Sequence, residues 1–155
     1  CSSDLKGSKE RGKLVFAKAQ CSSCHRFINY GDAQGPDLTT VARRFTTREI
    51  LKSIIHPSDV ISDQYRAELI GTVDGRQLTG IVAPGPDESI VVLTAEGKKV
   101  QIDPENIEAR KPSSTSAMPG NLLEALSKSE IIDLFAYLGL QDENRIAEKQ
   151  RFRTR

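Results

Sequence analysis

The pentapeptide at residues 21–25, Cys-Ser-Ser-Cys-His, constrains this chain more than any other feature. Two thiols three positions apart can each form a thioether with one vinyl group of a porphyrin, and the short link holds both sulfur atoms on one edge of the ring. His25 follows the second thiol directly, so one of its ring nitrogens can reach the iron. The pattern therefore predicts covalent attachment of a c-type haem at Cys21 and Cys24.

The same Cys-x-x-Cys spacing also occurs in zinc sites and in thiol oxidoreductases. A zinc site needs two more ligands beyond the two thiols, and apart from His25 the chain offers only Cys1, His56 and carboxylates for this purpose. An oxidoreductase places the motif after a strand, at the start of a helix, whereas the apolar spacing here predicts a helix before the motif. Both patterns favour haem attachment over the alternatives.

Two helices are predicted at the ends of the central region. The first begins with Ser8 as its N-cap and ends near Ala19, and it carries Gly12 and Phe16 on one face. The last begins with Ser129 as its N-cap and ends near Leu138, with Gly139 at its C-terminal end. We expect these two helices to cross at Gly12. Three shorter helices are predicted between them, over 39–44, over 48–55 after Thr46 or Thr47, and over 122–126.

The periodicity changes to alternation after Asp63. Four or five antiparallel strands are predicted between about 64 and 110, separated by turns at Asp74-Gly75, 84–87 and 95–97. In the first strand, Tyr65, Ala67, Leu69 and Gly71 alternate with polar residues, which predicts that they form its apolar, buried face. The fold class is therefore expected to be mainly α, with a small inserted antiparallel β-sheet that either shields the domain or receives a partner protein.

Two side chains are candidates for the second axial position on the iron. Met118, the single methionine, stands before Pro119 in a Ser/Pro-rich loop and not on an apolar helix face. A thioether is a soft iron ligand, so Met118 is preferred, although a plain loop methionine is the alternative. His56 stands at a predicted helix end and is expected to be a surface residue. On the other side, the Pro36 carbonyl is a candidate acceptor for the second ring nitrogen of His25, unless Pro36 only stiffens a turn.

Composition limits the remaining possibilities. The net charge of +1 gives no basis for nucleic-acid binding, and no apolar run is long enough to cross a membrane. Residues 1–8 are expected to be a flexible tether and residues 141–155 a polar tail, leaving 9–140 as the domain. The sequence around Cys1 resembles the start of a mature bacterial lipoprotein, whose first cysteine carries lipid. An artificial chain end or a spare thiol is the alternative.

Several separated motifs occur in the order found in class I cytochromes c. These motifs are Gly12-x-x-x-Phe16, Cys21-x-x-Cys24-His25, Gly35-Pro36-Asp37-Leu38, Ser116-x-Met118-Pro119 and a terminal apolar helix. The chain resembles most closely the haem-binding domain common in planctomycetes and verrucomicrobia, which also has Pro57-Ser58 after a helix and a β-rich stretch with a turn such as Asp74-Gly75 before the methionine.

The resemblance implies a cytochrome c fold with one covalent haem, His25 as proximal ligand and Met118 as distal ligand. It also implies export to the periplasmic side of a bacterial membrane, with transient redox donors and acceptors as partners. The expected function is electron transfer without catalysis. Two alternatives are an open or labile distal site that acts as a peroxidase or gas sensor, and a haem-bearing interaction module of a larger dehydrogenase complex.

Overall fold

The computed structural model describes residues 6–141. Within this range the chain forms four α-helices, namely α1 (Lys9–Lys18), α2 (Val41–Arg44), α3 (Thr47–Ile55) and α4 (Lys128–Tyr137). The same range holds five strands, namely β1 (Glu68–Thr72), β2 (Gln77–Pro84), β3 (Ile90–Thr94), β4 (Lys99–Ile102) and β5 (Ile107–Pro112). None of these helices has the length and apolar character needed to cross a bilayer.

The chain divides into two compact units. The helical unit holds the described residues up to Ile55 and those from Asn121 onward, and the sheet unit holds His56–Gly120. The expectation of a mainly α class needs correction, because helices and strands contain similar numbers of residues. The strand region is not a minor addition to a helical domain, since it forms a complete sheet with a core of its own.

Helices α1 and α4 cross at Gly12, as the sequence predicted. A Cβ at Gly12 would overlap the backbone oxygen of Asp133 and would lie 2.6 Å from the Cβ of Tyr137, so only glycine allows this approach. Phe16, one turn further along α1, is fully buried, and its ring centroid lies 5.6 Å from that of Tyr137. The core of the helical unit forms around this crossing, with Val15, Phe27, Val41, Leu134, Phe135 and Leu138.

Asp133 strengthens the crossing, and the sequence reading did not single it out. Its carboxylate accepts a hydrogen bond from the backbone N–H of Ser8 at 2.7 Å and pairs with the Arg11 guanidinium at 2.7 Å. Ser8 is also the N-cap of α1, with its hydroxyl accepting from the N–H of Arg11. One acidic side chain on α4 therefore satisfies backbone and charged donors at the start of α1. Residues 1–5 of the expected tether lie outside the described residues.

The start of α4 and the segment before it differ from the prediction. The N-cap is Ser127, not Ser129, because Ser127 and Glu130 form a reciprocal capping box. Residues 122–126 form turns with i to i+3 hydrogen bonds and not the predicted helix, since the capping box starts helix α4 immediately after them. At the other end, Gly139 has φ of +76°, the left-handed conformation expected of a glycine that ends a helix. The predicted tail beyond Gln141 lies outside the described residues.

Helix α3 begins after Thr46, whose hydroxyl accepts from the N–H of Glu49 at 3.1 Å while the Glu49 carboxylate accepts from the N–H of Thr46 at 2.7 Å. Ile50, Leu51 and Ile54 pack against the core of the helical unit, as expected. Ile55 does not, because 45% of its surface is exposed at the end of the helix.

The sheet unit is an antiparallel sheet with strand order β4-β3-β2-β1-β5. Its core consists of Ile70, Val92 and Ile102, so the expected face of β1 is wrong: Ile70 is buried, whereas Leu69 remains 36% exposed. Because Leu69 and Ile70 are both apolar, the sequence does not show which of the two faces the core. The pairing of β1 with β2 and β5 decides it. Hydrogen bonds from Ser113 N–H to the Ala67 carbonyl and from Ser116 N–H to the Ser58 hydroxyl extend the unit beyond the predicted 64–110.

A Gly12→Ala substitution tests the crossing. The added methyl group would force α1 away from α4, and overpacking of this kind costs about 1–3 kcal/mol or more. We expect a clear fall in the free energy of unfolding measured by chemical denaturation. The control is Leu14→Ala on the same helix, where the side chain is 71% exposed and little should change. Equal stability of Gly12→Ala and the wild type would contradict the close approach.

The ion pair between Lys18 and Glu130 predicts a pH dependence. Its N–O distance is 2.6 Å, and the hydrogen bond from Lys18, together with those at the N-cap Ser127, lowers the pKa of Glu130 to about 2. Because the pKa is depressed in the folded state, the stabilisation is present above the ordinary pKa and disappears as the pH falls towards 2. We therefore expect Glu130→Gln to be less stable than the wild type at pH 7, with the difference vanishing near pH 2. Glu124→Gln on the exposed preceding turn is the control, and a difference that does not depend on pH would contradict the prediction.

Candidate haem site

The attachment motif follows α1 through a sharp change of direction. Gln20 adopts a left-handed conformation with φ of +59°, and Cys21–Ser23 then form a single 3₁₀ turn. The N–H groups of Cys24 and His25 both donate to the carbonyl of Cys21, at 3.3 Å and 2.9 Å. This turn gathers both thiols and the imidazole on one short, hydrogen-bonded segment. The thiols are free and half-buried.

The two thiols differ from the reactive thiols of an oxidoreductase. Burial raises the pKa of Cys21 to about 11. Burial also raises the pKa of Cys24, with a further contribution from the negative charge of Asp32. Redox-active Cys-x-x-Cys motifs have a lowered thiol pKa, because the thiolate is the nucleophile. The electrostatics of this turn therefore disfavour thiol–disulfide exchange as the role of the two thiols.

His25 is held in the tautomer that a metal ligand requires. Its Nδ1 lies 2.8 Å from the carbonyl oxygen of Pro36, so Nδ1 carries the proton and donates, while Nε2 keeps its lone pair. Burial lowers the pKa of His25, although the Pro36 carbonyl acts in the opposite direction. A neutral imidazole with an available Nε2 results. The two thiols and this imidazole therefore match the donor set that a c-type haem needs.

Gly35 is a site residue that the sequence analysis named only as part of the Gly35-Pro36-Asp37-Leu38 motif, with no role of its own. A Cβ at this position would lie 2.8 Å from Cε1 and 2.9 Å from Nδ1 of His25, so the backbone at Gly35 lies directly against the imidazole ring. Its N–H donates to the Cys24 carbonyl at 2.6 Å. The combination Gly-Pro after a Cys-x-x-Cys-His motif signals this contact: the glycine makes room for the ring and the proline carbonyl binds it.

The structure brings Cys21, Cys24, His25 and Pro36 together in the helical unit. Met118 belongs to the sheet unit, in the loop after β5, where it is half-buried and its N–H donates to the Ser116 hydroxyl at 3.1 Å. His56 is exposed and directly follows the end of α3. Cys1 lies outside the described residues. Among residues 6–141, no group of three or more His, Cys, Asp or Glu side chains is arranged to hold a metal ion.

Comparison with known proteins identifies the region that surrounds this site. Residues 9–73 match the family model described as Cytochrome c. The matched segment includes α1, the attachment turn, His25 and the Gly35-Pro36 loop, and it ends before Met118. No curated protein matches the chain. The match, the attachment turn and the orientation of His25 agree: residues 9–73 are similar to a cytochrome c domain, and a domain of this kind implies a covalently bound c-type haem.

Proposed function

We propose that this protein is a monohaem electron carrier whose iron is coordinated by His25 and Met118. The observation that carries the proposal is the neutral His25 imidazole, fixed by the Pro36 carbonyl at 2.8 Å within the attachment turn of a cytochrome c domain. Such a domain supports haem-based electron transfer. A monohaem domain of the subgroup common in planctomycetes and verrucomicrobia is the finer assignment that we propose.

Each residue of the turn has a distinct task in this proposal. The sulfur atoms of Cys21 and Cys24 hold the cofactor covalently, and Nε2 of His25 is its proximal ligand. The Pro36 carbonyl keeps the proton on Nδ1 and makes the imidazole a stronger electron donor. The bound haem supplies a one-electron couple between Fe(II) and Fe(III). No proton donor or nucleophile is needed for this chemistry, which is why we propose a carrier and not an enzyme.

Met118 is the better of the two candidates for the distal position. Its loop is held by hydrogen bonds, since the hydroxyl of Ser116 accepts from the N–H of Met118 and the N–H of Ser116 donates to Ser58. Pro119 restricts the backbone immediately after it. A half-buried thioether on a restrained loop suits a ligand, whereas His56 is exposed at a helix end. Methionine ligation would also favour the reduced state and raise the reduction potential.

The remaining parts of the proposal concern place and partners. Haem attachment to this motif occurs outside the bacterial cytoplasm, so we propose a periplasmic protein. We propose further that Cys1 carries a lipid that holds the protein at the membrane, since Cys1-Ser2-Ser3-Asp4 resembles the start of a mature bacterial lipoprotein. Its electron donor and acceptor would be proteins that bind weakly and briefly, as redox partners generally do.

Carbon monoxide tests the distal ligand. With Met118 on the iron, the reduced wild-type protein should show no change in its absorption spectrum when CO is added at neutral pH. Met118→Ala should bind CO at once, because the distal position is then open. His56→Gln is the matched control and should behave like the wild type. Immediate CO binding by the wild type would contradict Met118 ligation, and CO binding by His56→Gln alone would point to His56.

The anchor on Cys1 is tested separately. Expression from the complete gene in a bacterium that attaches lipids to exported proteins should give a membrane-bound protein whose N-terminal peptide carries diacylglycerol by mass spectrometry. Cys1→Ser should be released into the soluble periplasmic fraction with its haem intact. A membrane-bound Cys1→Ser variant, or an unmodified wild-type peptide, would contradict lipid anchoring.

A further inference from the structure

Backbone hydrogen bonds join the loop at residues 31–36 to the attachment motif. The N–H of Asp32 donates to the Ser22 carbonyl at 2.9 Å, and the N–H groups of Gln34 and Gly35 both donate to the Cys24 carbonyl. Gly31 has φ of +99°, and a Cβ there would overlap the His25 carbonyl oxygen. At the end of this loop, the Pro36 carbonyl accepts the hydrogen bond from the imidazole of His25. The shape of the loop therefore determines where that hydrogen-bond acceptor lies.

Asp32 is the side chain that organises this loop from within. One carboxylate oxygen accepts from the backbone N–H of Ala33 at 2.7 Å, and the other accepts from the side-chain amide of Gln34 at 2.7 Å. Asp32 and Gln34 are half-buried, unlike their exposed neighbour Ala33. These two hydrogen bonds close a small ring that consists of residues 32–34. Gly35 and Pro36 follow this ring in the chain and lie next to His25.

We propose that Asp32 is a positioning residue for the haem ligand: through Gln34 it holds the loop in the shape that places the Pro36 carbonyl on Nδ1 of His25. The inference rests on the proposed function, since it assumes that His25 is an iron ligand. Loosening the loop would weaken the hydrogen bond to Nδ1 and make the imidazole a poorer electron donor. The oxidised iron would then be less stabilised, so the reduction potential would rise.

The carboxylate has a second effect that the test must separate from positioning. Asp32 lies close enough to Cys24 for its negative charge to act on the sulfur. Removing that charge from the neighbourhood of the haem would by itself raise the reduction potential. A variant that keeps the charge and removes only the contact to Gln34 is therefore the decisive one.

Three substitutions in the haem-loaded, full-length protein make this separation. Asp32→Asn removes the charge and disturbs the ring. Gln34→Leu keeps the Asp32 charge and removes the side-chain hydrogen bond. Asp37→Asn is the control, because Asp37 is an exposed carboxylate of the same segment whose oxygen accepts from the N–H of Thr39 and not from residues 33–36. The measurements are the reduction potential by optical titration and the hyperfine-shifted NMR resonances of the His25 ring.

Positioning by Asp32 predicts an upward shift of the potential in both Asp32→Asn and Gln34→Leu, together with faster exchange of the His25 ring N–H. Asp37→Asn should leave both quantities close to the wild type. A shift in Asp32→Asn with none in Gln34→Leu would overturn the inference, because charge alone would then explain it. Unchanged ring resonances in both variants would also overturn it while leaving His25 ligation intact. A wild-type protein without haem on Cys21 and Cys24 would overturn the proposed function as well.

Discussion

The close approach of α1 and α4 at Gly12 is the constraint on which the helical unit depends. These helices come from opposite ends of the described chain, and they touch because glycine leaves no side chain between the backbones. Asp133 then joins them by accepting from Ser8 and Arg11. The end of α1 is thereby fixed relative to α4 and the buried core. Only two residues separate the end of α1 from the attachment turn, so the same contact sets the position of the thiols.

The candidate site is built from backbone groups as much as from side chains. The carbonyls of Cys21, Ser22 and Cys24 accept hydrogen bonds from their own turn and from the loop that follows, and the carbonyl of Pro36 binds the imidazole. Glycine is needed where this loop lies against His25. An imidazole held in this way keeps one tautomer and one ring orientation, as histidines that bind metals generally do.

The sheet unit has a core of its own, formed by Ile70, Val92 and Ile102. The turns that connect its strands contain residues with positive φ, among them Gly75, Asp87 and Glu88. Asp87 and Glu88 occupy the centre of a two-residue turn closed by the hydrogen bond from Ser89 N–H to the Pro86 carbonyl. Non-glycine residues in this conformation cost energy, so strand pairing on either side has to hold them there. The unit also carries Met118, the candidate ligand furthest along the chain from the attachment turn.

Features that depend on near neighbours in the chain are encoded locally in the amino-acid sequence. The Cys-Ser-Ser-Cys-His spacing, the Ser8 cap, the glycine at the end of α4 and the turn at Asp74-Gly75 follow from local stereochemistry, and each could be predicted. The helix crossing at Gly12 was predictable because a glycine four residues before a buried aromatic marks a close approach. The role of Asp133, the buried face of β1 and the choice of Ser127 as cap become clear only in the folded chain. These depend on which side chain or strand meets a given residue from elsewhere in the chain, or on competition between equally suitable neighbours, and no local pattern specifies that.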